Sequence, residues 1–428
     1  MIALDPAATL PSVLALERPR APSRWWIVLG ICAWLLGAMT LLPTAIAAVP
    51  AVNDFNLALY PAGQAILARR SPYTAEVQEL QTLLTAWNQH QADDQLARSS
   101  MTNDTGFAYP PALAVVMAPF GALPLTVAKP LWMLLELGCV LAAAIAAGRQ
   151  LAPPSWRWIV SGVTLAMFAG FAPLRYVLLG GQADLPILLA MVLSLPAILS
   201  SRRSQWRDIL AGALLGMAAT FKLYPAAFLG VALLRRQWTV LIAALATVLL
   251  LTAPAVVAVG PAILVDYVRL DQLGSQPALA GYPFGWGMLQ FAYRALTPTP
   301  FAVPLLHLTP GVVKAIYGVA AVSIAGVVLW LCARDRFRWS ALHIACVGIA
   351  SLVAFPALEV MHLPLLLAVL PPFGATVVQR FAETGAERLR LVIVLLALLG
   401  LTLLLTAGAL VLPQRTMAYL SGMLSVAG

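Results

Sequence analysis

Apolar residues gather into long runs, separated by short polar punctuation. The runs cover roughly 25–49, 111–122, 126–148, 156–174, 183–200, 208–221, 223–234, 238–259, 311–333, 340–356, 361–379 and 390–411. Leucine, alanine and valine fill them without the period-two alternation of a barrel strand. Lipid offers backbone groups no partner, so only helices and closed barrels span it. A helical crossing takes about 20 residues. The pattern predicts an all-α polytopic membrane protein of about 11–12 transmembrane helices, in one integral-membrane domain over residues 1–428. Arg18, Arg20 and Arg24 precede the first run. That run is too long for a cleavable signal segment and is read as a retained helix.

Three runs, 111–122, 208–221 and 223–234, are too short to cross comfortably. Basic residues give an orientation. With the N-terminus and segments 149–157, 201–207, 235–237, 334–338 and 380–390 in the cytoplasm, these hold 16 of the 26 lysines and arginines. Ten of the 17 acidic residues fall on the other side. This is the positive-inside asymmetry. It requires 111–122 to dip in and return, and 208–234 to be a short hairpin; the competing reading makes 208–234 one helix with Lys222 in mid-span. Two long segments then lie outside, 50–110 and 260–310. Both are expected to carry short helices at the interface.

Composition agrees. Mean hydropathy is +0.88, 61% of residues are hydrophobic and 10% are charged. The net charge of +9 reflects arginines in loops that face anionic lipid rather than nucleic acid. The four cysteines lie in apolar runs and form no CxxC pair, which argues against a zinc site or disulfide framework. No GxSxG, P-loop, GxGxxG or HExxH motif is present.

In this orientation the notable polar residues face one side. Asp54 follows the first helix, Tyr109 stands in FAYPP at 107–111, and Gln182 and Asp184 stand in GGQADLP at 180–186. Lys222 and Tyr224 stand in FKLYP at 221–225, and Glu359 and His362 in ALEVMHLP. Ionisable residues at membrane depth are costly and commonly line a cavity. Each has a plainer reading alone: a solvated helix end for Asp54, a snorkelling lysine for Lys222, a helix-dipole partner for Asp184, a packing histidine for His362. Only their convergence points to a site. Glu136, in LWMLLELGC, has no evident partner and reads as structural, and Lys129 is left unassigned.

The ordered series resembles glycosyltransferase family 87 of the GT-C superfamily, the polyprenyl-phosphate-mannose-dependent α-(1,2)-mannosyltransferases. It is carried by Asp54, SPY at 71–73, YPP at 109–111 followed by APFGALP, GQAD at 181–184 and FKLYPAAFLGVALLRRQW at 221–238. Where the family often has Trp and paired His late in the chain, this one reads FPALEVMHLP, with His362 matching the second His. The resemblance implies a GT-C fold and inverting transfer of a sugar, mannose above others, from a polyprenyl-phosphate donor. The acceptor would be a hydroxyl of a glycolipid or glycan at the non-cytoplasmic face of the cell membrane. It implies Asp54 as general base, a role typically worth about 10²–10⁴-fold in rate. Lys222, with Arg175 assisting, would meet the donor phosphate. Gln182, Tyr109 and His362 would meet sugar hydroxyls or phosphate oxygens, and Glu359, Tyr224 and Asp184 are further candidates. The scheme needs no cofactor and no metal. Another lipid-linked glycan transferase or ligase, and a lipid-linked-sugar transporter or flippase, remain the alternatives.

Overall fold

A computed structural model describes residues 22–74, 77–78, 81–82, 107–200, 204–275, 287–298, 304–334, 341–355 and 360–369. All regular elements among the described residues are helical. The chain is an all-α polytopic membrane protein. Among the described residues, four helices are long and apolar enough to cross a bilayer: α1 (Arg24–Ala48), α4 (Leu125–Leu151), α10 (Trp238–Val259) and α13 (Pro310–Arg334). The run expected over 156–174 is broken. It forms α5 (Arg157–Gly170) and α6 (Ala172–Gly180), which meet at a 73° bend and together make one broken span. The cause is local. Gly170 ends one helix, and Pro173 sits in the first turn of the next, where its missing N–H costs nothing.

The remaining elements are shorter. They are α2 (Tyr60–Leu67), α3 (Pro111–Gly121), α7 (Asp184–Leu199), α8 (Gln205–Phe221), α9 (Ala227–Leu234), α11 (Ala262–Gly274), α12 (Met288–Leu296) and α14 (Ala341–Ala354). Of these, α2, α11 and α12 fall within the two segments read from sequence as external. Residues 370–428 and Glu359 lie outside the described residues.

Close contacts fix the helix directions. A Cβ at Gly30 would meet Trp158 and Ile159, and one at Gly37 would meet Leu165, so α1 and α5 run parallel. Trp132 Nε1 donates to the Gly181 carbonyl at 3.0 Å, just ahead of α7, and Gln150 Nε2 donates to the Val192 carbonyl at 2.8 Å. Thus α4 and α7 are parallel too. Gly212 abuts Val240 and Gly216 abuts Ala244, so α8 and α10 are parallel, with α9 returning between them in sequence. Residues 205–234 are therefore a short hairpin with Lys222 at its apex, not a single span.

These directions sort the ends of the bundle. Arg24, Arg149, Arg157, Arg207, Arg235 and Arg236 lie at one end. Trp25, Trp158, Trp206 and Trp238 are exposed beside them, as an aromatic belt at a membrane–water boundary requires. At the opposite end, Tyr109 ahead of α3 lies 5.3 Å from Lys222, and Phe120 near the close of α3 lies 6.3 Å from Phe55. Both ends of α3 thus stay at the end away from the arginines, and the helix does not cross.

Apolar side chains gain little from leaving lipid for protein, so helix pairs in a bilayer depend on close packing at small residues. Gly212 and Gly216 form such a pair. A Cβ on Gly212 would stand 2.3 Å from the Val240 carbonyl oxygen, and one on Gly216 2.5 Å from that of Ala244. Gly212→Leu is expected to separate α8 from α10 and abolish a cooperative thermal transition of the detergent-purified protein. Gly138→Ala, with open space around it, should leave the melting temperature within a few degrees; equal behaviour of the two variants would overturn this packing account.

Candidate active site

The polar residues singled out in the sequence meet at the end of the bundle away from the arginines. Asp54 is half-buried and stands at the exit of α1, directly before a π-helical turn over Phe55–Leu59 that runs into α2. Single π turns inside helices recur at functional sites. Gln182 lies on the link from α6 to α7, Asp184 is the first residue of α7, and Lys222 is the apex of the α8–α9 hairpin.

These four form one hydrogen-bonded chain. Gln182 Nε2 donates to Asp54 Oδ2. Lys222 Nζ donates to Gln182 Oε1 at 3.2 Å and to Asp184 Oδ2 at 2.6 Å. Tyr224 donates its hydroxyl to Asp184 Oδ1 at 2.7 Å. The neighbours determine the orientation of the Gln182 amide, because an ammonium only donates and a carboxylate only accepts. Gln182, Asp184, Lys222 and Tyr224 are all buried. Lys222 and Asp184 therefore constitute a buried ion pair, with Asp184 also at the positive end of the α7 dipole.

Aromatic rings enclose the chain. The Tyr109 ring lies 5.3 Å from Lys222 Nζ, within cation–π range. His362 packs edge-on to Tyr224, with ring centroids 5.4 Å apart, and Phe355 lies 5.7 Å from both. Tyr73, from the SPY stretch, donates its hydroxyl to the Tyr109 carbonyl at 2.7 Å. The structure therefore brings together Asp54, Gln182, Asp184, Lys222, Tyr224, Tyr109 and His362. Arg175 is not joined to them. It is half-buried on α6, and its Nε has no partner among the described residues.

The link 180–184 can take its place only as glycine at 181. Gly181 has φ +62, and an added Cβ would meet Phe55 Cβ at 3.0 Å and Asn53 Nδ2 at 3.3 Å. Asn53 donates to the Leu179 carbonyl at 2.9 Å, which fastens the residue before Asp54 to the end of α6. Lys129 is buried on α4 and donates to the Ala51 carbonyl, tying the same exit loop from its other side. The sequence reading left Lys129 unassigned and did not single out Asn53. Each does its work through a backbone carbonyl, which has no signature in side-chain pattern. Glu136 is fully buried on α4, and neither carboxylate oxygen has a hydrogen-bond partner among the described residues.

A model of glycosyltransferase family 87 matches residues 107–356, more than half of the chain. The chain belongs to glycosyltransferase family 87. It is a membrane glycosyltransferase. Comparison with curated proteins and with solved structures gave no match. The stretch matched to family 87 contains Tyr109, Arg175, Gln182, Asp184, Lys222 and Tyr224; Asp54 lies well before it and His362 shortly after it.

Removing one partner of a buried ion pair strands a charge and costs about 3–5 kcal/mol, whereas replacing both by apolar groups is often close to neutral. Lys222→Met and Asp184→Leu are each expected to destabilise this family 87 member by about that amount. The double variant should cost far less than the two together. Denaturant unfolding in micelles measures this cycle, and strictly additive losses would show that the pair does not act as a unit.

Proposed function

We propose that the protein transfers a sugar, mannose above others, from a polyprenyl-phosphate donor to a hydroxyl of a glycolipid or glycan acceptor. The reaction inverts the anomeric centre, at the non-cytoplasmic face of the cell membrane. The observation that carries this reading is the hydrogen-bonded chain from Asp54 through Gln182 to the Lys222–Asp184 pair, in a member of a glycosyltransferase family. Its location opposite the arginine-bearing end supports the non-cytoplasmic assignment.

The chemistry divides between the two ends of that chain. A lipid phosphate is a good leaving group and asks for charge stabilisation rather than a proton. The attacking hydroxyl must lose one. Asp54, half-buried at the outer end of the chain, is the carboxylate placed to take it, and Gln182 holds it in position. Proton and electrons balance: the acceptor oxygen bonds to the anomeric carbon as the bond from that carbon to the phosphate oxygen breaks. The hydroxyl proton passes to Asp54 and the electron pair leaves on the phosphate.

Lys222 spends two of its three N–H groups on Gln182 and Asp184. The third is the one available to a phosphate oxygen, beside Tyr109. Because Asp184 already offsets the ammonium, Lys222 acts here as a directed donor more than as a net charge. Arg175, on α6 with a buried Nε that has no partner among the described residues, would supply positive charge as the donor enters. The apolar faces between helices would take the polyprenyl tail.

The test is a transfer assay with purified protein, polyprenyl-phosphate-mannose and mannosylated lipid acceptors. Wild type is expected to form an α-linked product. Asp54→Asn, folded by its melting profile, should lose about 10²–10⁴-fold in rate. Equal rates would remove Asp54 as the base. No product from mannose, glucose, galactose or arabinose on the same lipid carrier would overturn the donor assignment.

A further inference from the structure

A second polar group lies on α11 and the start of α13, and the chemistry described above does not use it. Tyr267 on α11 is half-buried, with its ring centroid 5.7 Å from that of Tyr73. Tyr73 in turn donates to the Tyr109 carbonyl, and the Tyr109 ring faces Lys222. Tyr267 therefore shares a wall with the Asp54–Lys222 chain while standing on its outer side. Asp271 follows it by one turn on the same face of α11, and is exposed. Ser275 caps that helix, its N–H donating to the Asp271 carbonyl at 3.0 Å. Lys314, from the first turns of α13, donates to Ser275 Oγ at 3.3 Å, and Tyr293 donates to the Ser275 carbonyl at 3.1 Å.

The two charges are near neighbours that do not close. Although the residue as a whole is exposed, desolvation of its carboxyl pushes Asp271 up and the Lys314 ammonium pulls it back down; among the described residues no salt bridge joins the two. Burial and the Asp271 charge push the Tyr267 hydroxyl up to about 12, so it remains a donor at neutral pH. An aromatic face, a carboxylate and an ammonium on these neighbouring elements are complementary to a sugar. Vicinal hydroxyls donate to the carboxylate and accept from the ammonium, and a half-exposed tyrosine offers a rigid amphipathic surface for the ring. The opposite charges cancel, which disfavours a phosphate or other anion here and favours a neutral polyol.

We propose that Tyr267, Asp271, Ser275 and Lys314 form the acceptor subsite of the protein, taking a neutral pyranose that lies against Tyr267 and spans Asp271 and Lys314. This rests on the transferase reading with its reacting centre at Asp54. It places the outer segment 262–275 and the head of α13 in the choice of acceptor.

Binding and turnover separate the two readings. Saturation-transfer NMR on the full-length protein in lipid nanodiscs, with the methyl pyranosides of mannose, glucose and galactose and an α-linked dimannoside as probes, is expected to show binding of at least one. Asp271→Asn and Lys314→Gln should each weaken that binding tenfold or more. In the transfer assay they should raise the acceptor KM by a similar factor while the donor KM stays unchanged. Asp271 is exposed, so its asparagine variant should fold, which a thermal melt checks. Absence of pyranoside binding by wild type, or binding and acceptor KM unmoved in both variants, would overturn the subsite and leave the Asp54 chemistry standing. Wild-type sugar binding that is lost in the variants, in a protein that transfers nothing, would support the subsite and count against that chemistry.

Discussion

An ammonium held at membrane depth requires a counter-charge, and much of this structure follows from where Lys222 finds one. Asp184 meets it at 2.6 Å with both side chains buried. For the pair to form, α7 must begin at the level where the α8–α9 hairpin turns. That explains why α8 and α9 stop short of a full crossing and why Lys222 sits at the apex rather than in mid-span. The Tyr224 hydroxyl and the Gln182 amide add a hydrogen bond to each of the two charges, as a buried pair needs if its desolvation is to be offset.

The same pairing governs what Asp54 can do. A carboxylate bonded directly to an ammonium gives up its lone pairs to that partner and is a poorer proton acceptor. Here the amide of Gln182 stands between Asp54 and Lys222, and the ammonium is turned toward Asp184. Gln182 thus donates to a carboxylate that is itself half-exposed. The aromatic wall of Tyr109, Phe107 and Tyr73, with neighbouring centroids 5.5–5.6 Å apart, shields the inner pair from water. The outer carboxylate remains within reach of an acceptor.

Much of this was legible in the sequence, for identifiable reasons. Unbroken apolar runs gave α1, α4, α10 and α13 closely, because length and hydropathy alone decide a crossing. Arginine spacing gave the hairpin at 208–234 and the failure of 111–122 to cross. The convergence of Asp54, Gln182, Asp184 and Lys222 was legible because polar residues in apolar runs are few and sorted to one side. The break at Phe171 was not read, although Gly170 and Pro173 marked it. The Lys222–Asp184 pairing was not read either: 38 residues separate the two, and no local pattern states a contact at that distance. The resemblance pointed instead to a donor phosphate as the partner of Lys222. Lys314 and Asp271 were invisible for the same reason, being brought together by tertiary packing across the outer segment.

What sets the site to its tolerances is backbone rather than side-chain chemistry. The end of α6 leaves carbonyls without helical partners, as every helix C-terminus does. Two side chains take carbonyls at this end: Asn53 bonds to Leu179 and Trp132 to Gly181. Asn53 immediately precedes Asp54, and Gly181 immediately precedes Gln182. The two residues that meet across the site are thus each one position from a residue pinned to the same helix end. In a bilayer, where apolar contact adds little drive to hold one helix against another, such fixed polar ties locate Asp54 and Gln182 more surely than packing does. The Asn53 tie lies on the exit loop of α1 and the Trp132 tie on α4, so the meeting of Asp54 with Gln182 depends on the register of both helices.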